Sequence, residues 1–229
     1  MQVKAILTGV LAISPIGCAA EENLDDELEN DTEELPEEVE EEETNGESED
    51  IDRELTTLAT GLEIPWSIAM DDDTIYLTER VGAIVKIEGG EQIRQEVQLE
   101  EELSTEQEAG LLGFVLDPEF SITKEAIAYY TYAGDAGATN RIVRLQLEDN
   151  VWREVDILLG YIPSGSIHHG GRLAIGADEK LYATTGDATE PNLAQDLNSL
   201  AGKILRLEMD GTIPENNPDP ESYIYSYGH

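Results

Sequence analysis

The sequence is poor in cysteine, in positive charge and in long apolar runs. One cysteine among 229 residues leaves no partner for an intramolecular disulfide. The 13 Lys and Arg residues stand against 51 Asp and Glu residues, a formal net charge of −38, and such a chain repels phosphate. The N-terminal apolar run, 5–13, is shorter than the roughly 20 residues that a membrane-spanning helix needs. These features exclude a disulfide scaffold and nucleic acid as a partner, and they disfavour a permanent transmembrane helix.

The N-terminus has the pattern of a bacterial export signal. Lys4 precedes the apolar run, and small residues surround Cys18. Because Cys18 is the only thiol and ends this segment, the sequence predicts a lipoprotein-type signal peptide, residues 1–18, with Cys18 acylated as the first residue of the mature protein. Pro15 stands where the lipoprotein cleavage box usually carries Leu, so an ordinary signal peptide is the alternative. The predicted location is the bacterial cell envelope, lipid-anchored to a membrane surface, with a secreted or periplasmic protein as the alternative.

Residues 19–54 form a segment dominated by acidic side chains. Between positions 21 and 54 there are 20 Asp or Glu residues and one basic residue, a net charge of −19. Such a composition buries too little apolar surface to fold, and self-repulsion keeps the chain extended. We expect an acidic disordered linker, which acts either as a tether that holds a domain off a membrane or as a solubilising tail. The order of anchor, linker and domain favours the tether.

From residue 55 to residue 229 the pattern changes to short alternating apolar runs separated by turn residues, which is typical of strands. Three runs recur three times in the same order, and their closest copies begin at 83, 141 and 203, at intervals of 58 and 62 residues. More polar runs after the first two units supply a fourth strand. The predicted strands are 67–71, 74–78, 83–87 and 92–99; 113–117, 126–130, 141–145 and 151–162; and 172–176, 180–184 and 203–207.

Four-stranded units repeated along a chain predict an all-β fold, the β-propeller. A single sandwich is the rival, but it would not need three copies of one strand order. A closed propeller has about 4 to 8 blades, whereas this sequence holds three units and a predicted beginning of a further one at 223–227. We therefore expect 55–229 to be a truncated propeller domain, inactive by itself, whose remaining blades lie beyond His229.

Residues with catalytic potential cluster at the corners of the predicted units. His168 precedes the first strand of the third unit, and Glu108 precedes that of the second. Because equivalent corners of successive blades converge in space, we expect these two side chains to face one pocket. Asp187 follows the second strand of the third unit, where a carboxylate can orient an imidazole. A histidine that only satisfies loop backbone, and an aspartate that only makes a turn, are the alternatives.

Five motifs in this order resemble those of the soluble quinoprotein sugar dehydrogenases, a family that includes aldose sugar, sorbosone-type and soluble glucose dehydrogenases. The resemblance covers essentially all of 55–229, and it implies a six-bladed propeller that binds pyrroloquinoline quinone (PQQ) at the channel mouth and calcium for cofactor activation and structure. The family motif continues past His229 into a cofactor-binding Arg-Asn pair, so the PQQ and calcium ligands are expected downstream. The motifs lie at 108–120, 168–173, 181–187, 201–206 and 225–229.

For individual residues, the resemblance implies that His168 is the general base and that Asp187 is its acidic neighbour in the substrate site. Glu108 falls where the glucose enzymes carry a substrate-contacting Gln. Ile167 stands where those enzymes carry Asp, which favours the aldose or sorbosone-like branch.

The implied reaction is oxidation of an aldose at its anomeric carbon to a lactone, with PQQ as hydride acceptor and electrons passed to an external acceptor. Two alternatives come from other classes. One is a surface-tethered propeller that binds a sugar or a protein without turnover. The other is calcium-dependent lactone hydrolysis, for which the sequence shows no set of carboxylates at the blade starts.

Overall fold

The computed structural model describes residues 56–134 and 137–229, so the predicted signal peptide, Cys18 and the acidic linker lie outside the described residues. The regular structure of the described part is almost entirely β-strand, with one short α-helix, α1 (Phe120–Thr123), and a 3-10 helix (Pro191–Gln195). Neither of these helices, in the part of the chain that the structure describes, has the length and apolar character of a transmembrane span. The strands are β1 (Pro65–Asp71), β2 (Thr74–Glu79), β3 (Ala83–Glu88), β4 (Glu91–Gln98), β5 (Leu111–Leu116), β6 (Glu125–Gly134), β7 (Gly137–Glu148), β8 (Val151–Pro163), β9 (Gly170–Ile175), β10 (Leu181–Thr185), β11 (Lys203–Leu207) and β12 (Ile224–Tyr227).

The strands form three blades, each an antiparallel meander of four consecutive strands, as the repeat predicts. Blade 1 contains β1 to β4, blade 2 contains β5 to β8, and blade 3 contains β9 to β12. The expected all-β fold, a partial β-propeller of about three blades, is confirmed.

The prediction that 223–227 begins a further unit is wrong. β12 pairs antiparallel with β11, with Lys203 opposite Tyr227 and Leu205 opposite Ile224, and is therefore the fourth strand of blade 3. The physical reason is that the turn-rich segment between β11 and β12 returns the chain alongside β11, where the backbone groups of β12 find hydrogen-bond partners.

The outer strands of blades 1 and 2 are also joined, which the repeat does not predict. β4 pairs in parallel with β8, with Glu96 opposite Val151 and Gln98 opposite Arg153, so that the two blades share one eight-stranded sheet. The buried indole of Trp152 donates to Gln95 Oε1 across this junction at 2.9 Å. The pairing satisfies strand edges that would otherwise be open.

Blade 2 is buried on both faces, and this places the two cores. Successive side chains of a strand point to opposite faces, so Ala128 and Tyr130 of β6 enter one core whereas Ile127 and Tyr129 enter the other. The first core is aromatic, with edge-to-face contacts around Trp152. The second core is aliphatic and packs blade 2 against blade 3. The two cores thereby pack blade 2 against blade 1 on one face and against blade 3 on the other.

The first strands of the blades lie side by side, with β5 between β1 and β9. The Ser67 hydroxyl donates to the Phe114 carbonyl at 3.3 Å, and the Thr78 hydroxyl donates to the Leu112 carbonyl at 2.9 Å. A Cβ at Gly113 would overlap the Gly171 carbonyl oxygen, so this glycine permits β5 and β9 to approach closely. The corners that precede the three strands are therefore brought together at one end.

A buried ionic network lies under the edge of blade 2. The Tyr130 hydroxyl donates to Glu154 Oε2 at 2.8 Å and accepts from Arg141 Nε at 2.6 Å. The Arg141 guanidinium also lies 2.8 Å from Glu154 Oε1, and both side chains are almost completely buried. Burial, followed by the bond to Glu154, raises the pKa of Tyr130. The carboxylate is compensated here by one guanidinium.

We expect Arg141→Met to destabilise the protein by about 3–5 kcal/mol, because removal of one partner leaves a buried charge uncompensated. Lys86→Met is the control, since Lys86 pairs with the exposed Glu88 and such surface pairs contribute about 0–1 kcal/mol. Thermal and denaturant unfolding measure both. Equal destabilisation by the two substitutions would contradict the role assigned to the network.

Candidate functional site

The converging corners enclose an open pocket of about 300 Å³. The sequence predicts that Glu108 and His168 share a pocket, and the structure places both in its lining. The backbone N–H of His168 donates to Glu108 Oε2 at 2.8 Å, which joins the corner of blade 2 to that of blade 3. The complete lining is Trp66, Arg80, Glu108, Leu112, His168, His169 and Gly170.

His168 and Asp187, 19 residues apart, form a hydrogen-bonded pair. His168 Nδ1 lies 2.9 Å from Asp187 Oδ1, and the imidazole is 53% exposed whereas the carboxylate is 18% exposed. The bond from His168 is the main cause that lowers the pKa of Asp187, and the backbone N–H of Thr189 adds to it. With Asp187 ionised, Nδ1 carries the proton of this bond, and the exposed imidazole keeps Nε2 as an acceptor. The pair therefore has the geometry of a general base with an orienting carboxylate.

The backbone around the pair is held in an uncommon conformation. His168 has φ of 63°, in the left-handed region, which costs a non-glycine residue about 1–3 kcal/mol and persists where the surroundings fix it. A Cβ at Gly186 would overlap the His168 carbonyl oxygen, so a glycine is required where β10 ends. Gly165 likewise lies against the Ala188 carbonyl. The loop before β9, which contains His168, and the loop after β10, which contains Asp187, are therefore in close backbone contact, and this contact sets the position of His168 relative to Asp187.

His169 lies beside His168 but in a different environment. It is buried, its Nδ1 lies 3.0 Å from the Ser164 hydroxyl, and its carbonyl accepts from the Tyr129 hydroxyl at 3.0 Å. Burial is the main cause that lowers the pKa of His169. The second histidine is thus neutral near neutral pH and anchored to the core, whereas the first is exposed to the pocket.

Arg80 is a pocket residue that the sequence reasoning missed. Its Nε donates to the Ala109 carbonyl at 3.1 Å, and a terminal nitrogen donates to the Gln107 carbonyl. Its own carbonyl accepts from the Leu111 N–H at 3.1 Å. Arg80 therefore holds the corner that presents Glu108. The signal that could have found it is its place directly after the second strand of blade 1, next to the position that Asp187 takes after the second strand of blade 3.

The rim of the pocket carries a stacked pair. The Arg172 guanidinium lies 4.0 Å from the ring centroid of Trp66 and donates to the Trp66 carbonyl at 3.3 Å. The pair joins β9 to the start of β1, so the aromatic ring is fixed at the mouth of the pocket.

The third histidine, His229, is not among the residues that line the pocket. Its Nε2 lies 2.8 Å from the Ser226 hydroxyl, and its N–H donates to the Gly202 carbonyl at 3.3 Å. The described residues include no group of three or more His, Cys, Asp or Glu side chains that could hold a metal ion.

The comparisons with known proteins agree with one another. The family model described as glucose/sorbosone dehydrogenase matches residues 62–229. Quinoprotein glucose dehydrogenase B of Acinetobacter calcoaceticus is 31% identical over an alignment of 193 residues, and the match covers 69% of this chain and 40% of that protein. The aldose sugar dehydrogenase YliI of Escherichia coli K12 is 28% identical over 179 residues, 73% of this chain and 48% of that protein.

Solved structures show the same similarity. The PQQ-bound form of the aldose sugar dehydrogenase from Streptomyces coelicolor superimposes with a TM-score of 0.70 at 37% identity, over 76% of this chain and 53% of that one. The chain thus spans about half the length of the proteins that it matches. Because the family model covers 62–229 of the 229 residues, the chain belongs to the glucose/sorbosone dehydrogenase family.

Proposed function

We propose that the protein containing this chain is a quinoprotein that oxidises an aldose at its anomeric carbon to a lactone, with PQQ as hydride acceptor and an external electron acceptor. Family membership supports the class of reaction, and the names of the relatives support a sugar substrate and a quinone. The observation that carries the proposal is that His168, which lines a pocket together with Glu108, is hydrogen-bonded to Asp187 behind it.

His168 is the general base in this reaction. Nε2 takes the proton of the anomeric hydroxyl as its O–H bond breaks, the C1–H bond breaks with its electron pair, and C1=O forms. PQQ, when bound, would supply the two-electron acceptor that this oxidation needs. Asp187 keeps the proton on Nδ1 and stabilises the imidazolium that forms, as its lowered pKa allows.

Glu108 is a substrate contact in the same site. One of its carboxylate oxygens accepts the His168 N–H, which leaves the other oxygen to accept a hydrogen bond from a sugar hydroxyl. Ile167, next to the base, offers no polar group in that place. We therefore expect the substrate preference of the aldose or sorbosone-like branch of the family, not that of the glucose enzymes, which carry Asp in place of Ile167.

The described residues fit the sugar and do not by themselves fit the cofactor. PQQ is a flat tricarboxylate and needs several cations around it. The pocket offers Arg80, two of whose nitrogens already donate to carbonyls, next to the carboxylate of Glu108. No PQQ or calcium ligand is therefore assigned to these residues, and the location of both ligand sets beyond His229 stays a prediction.

In the full-length protein, we expect His168→Ala to lower sugar-dependent dye reduction by about 10²–10⁴-fold, the contribution of general base catalysis. Quinone binding should be retained, because the base acts on the substrate proton. His169→Ala is the matched control and should be milder, since His169 is anchored away from Asp187.

Equal losses for the two variants would contradict the assignment of the base. A wild-type protein that binds sugar, yet gives no quinone-dependent turnover, would favour the alternative of a sugar-binding propeller without catalysis.

Anchoring at the cell envelope through an acylated Cys18 is the second part of the proposal. It rests on the position of the only thiol at the end of the export signal, followed by the acidic linker. A lipid chain adds about 0.8 kcal/mol of membrane affinity per buried CH₂, so we expect Cys18→Ala to move the protein from the membrane fraction to the soluble fraction. A variant that fractionates with membranes as firmly as wild type would show that Cys18 is not the anchor.

A further inference from the structure

A fully buried lysine lies behind the catalytic pair. Lys203, the first residue of β11, is 0% exposed, and its Nζ donates to three backbone carbonyls. Within 56–134 and 137–229, no carboxylate lies within ion-pair distance of it. The acceptors are the carbonyls of Leu193 at 2.8 Å, Ala194 at 3.1 Å and Ala201 at 2.6 Å.

The three carbonyls are what makes a lysine suitable here. The carbonyls of Leu193 and Ala194 lie in the 3-10 helix of the segment between β10 and β11 and also accept from the N–H groups of Asp196 and Gly228, so the lysine supplies a further donor to each. An ammonium is the one side-chain group that offers three donors from a single atom. Burial lowers the pKa of Lys203, and the charge of Asp196 opposes this. The ammonium therefore closes this segment into a compact loop, which we call the 186–202 loop.

The 186–202 loop begins with the residues that hold the base. The Gly202 N–H donates to the Gly186 carbonyl at 2.7 Å, directly before Asp187. The Thr185 hydroxyl donates to the Leu200 carbonyl at 2.6 Å and accepts from the Lys203 N–H at 2.9 Å. Asp187 is thus the second residue of the loop, and Lys203, which closes it, directly follows its last residue, so the closure determines where Asp187 stands.

The same loop also binds the residue that follows β12, the last strand of blade 3. The Gly228 N–H donates to the Ala194 carbonyl at 2.9 Å, and the Ala194 carbonyl is one of the three that bind Lys203. The Lys203 ammonium and the Gly228 N–H therefore share one acceptor, which connects the 186–202 loop to the residues after β12.

We propose that Lys203 is a positioning residue for sugar oxidation: its ammonium closes the 186–202 loop and so holds Asp187 against His168. The inference rests on the proposed function. Lys203 itself contacts neither substrate nor base, and its effect passes through Asp187.

The test is a double-mutant cycle in the full-length protein with Lys203→Met and Asp187→Asn. Lys203→Met should lower kcat for an aldose by about 10- to 100-fold, since displacement of a catalytic group by about 1 Å has that order of effect. KM should change by less than about threefold, because uniform substrate binding is kept. In the Asp187→Asn background, Lys203→Met should add almost no further loss, because the two act through one contact.

Lys180→Met is the matched control. Lys180 belongs to the same blade but pairs with Glu208 at 2.7 Å, away from the 186–202 loop, so kcat should be unchanged. Losses that multiply in the double variant, or an unchanged kcat in Lys203→Met, would overturn the proposal.

Two further measurements keep the test decisive. If Lys203→Met does not fold, Thr185→Val removes the hydrogen bonds to Leu200 and Lys203 without removing a buried charge. This variant should lower kcat non-additively with Asp187→Asn, and an unchanged kcat would refute the role of loop closure.

A carboxyl-carbon NMR titration of Asp187 does not need activity. In Lys203→Met or Thr185→Val, loss of loop closure should raise the pKa of Asp187 toward its ordinary value, because the bond from His168 that lowers this pKa is weakened. An unaltered titration refutes the inference, whereas a wild-type protein without sugar turnover refutes only the proposed function.

Discussion

The close approach of Gly186 to the carbonyl of His168 is the constraint on which the site depends. No side chain can stand between these two backbones, since a Cβ at 186 would overlap the carbonyl oxygen. His168 adopts a left-handed conformation at this contact, and its Nδ1 lies 2.9 Å from Asp187 Oδ1. Ala188 and Thr189, which directly follow Asp187, also have positive φ, so both loops that meet at this contact hold uncommon backbone conformations.

The packing of the blades extends this constraint to residues from other parts of the sequence. Blade 2 is buried on both faces, and Gly113 lets β5 lie directly against β9, so Glu108 reaches the backbone of His168. Arg80 from blade 1 fixes the Glu108 corner through backbone carbonyls. A pocket made by three blades thus requires both cores, although none of its polar residues belongs to either core.

Much of this arrangement could be predicted from the sequence, because strand alternation and a repeat of about 60 residues are local signals. They give the strands of all three units, and they place Glu108, His168 and Asp187 at neighbouring corners. The role of β12 was predicted wrongly, since a four-residue strand after a long irregular segment carries no period that assigns it to one blade or the next. The parallel pairing of β4 with β8 and the carbonyls that Arg80 binds join backbone groups far apart in sequence, whereas the carbonyls around Lys203 come from the loop directly before it. All three depend on the path of the backbone, which side-chain patterns do not specify.

The most direct test of this account is the rate at which an aldose reduces the bound quinone in a single turnover of the full-length protein with Gly186→Ala. Gly160→Ala is the control, because a Cβ at 160 meets its nearest neighbour, Ile157 Cγ2, at 3.9 Å. If the contact between Gly186 and His168 fixes the base, Gly186→Ala should slow quinone reduction by at least about tenfold while quinone stays bound, and Gly160→Ala should match wild type. A wild-type rate in Gly186→Ala would contradict the account.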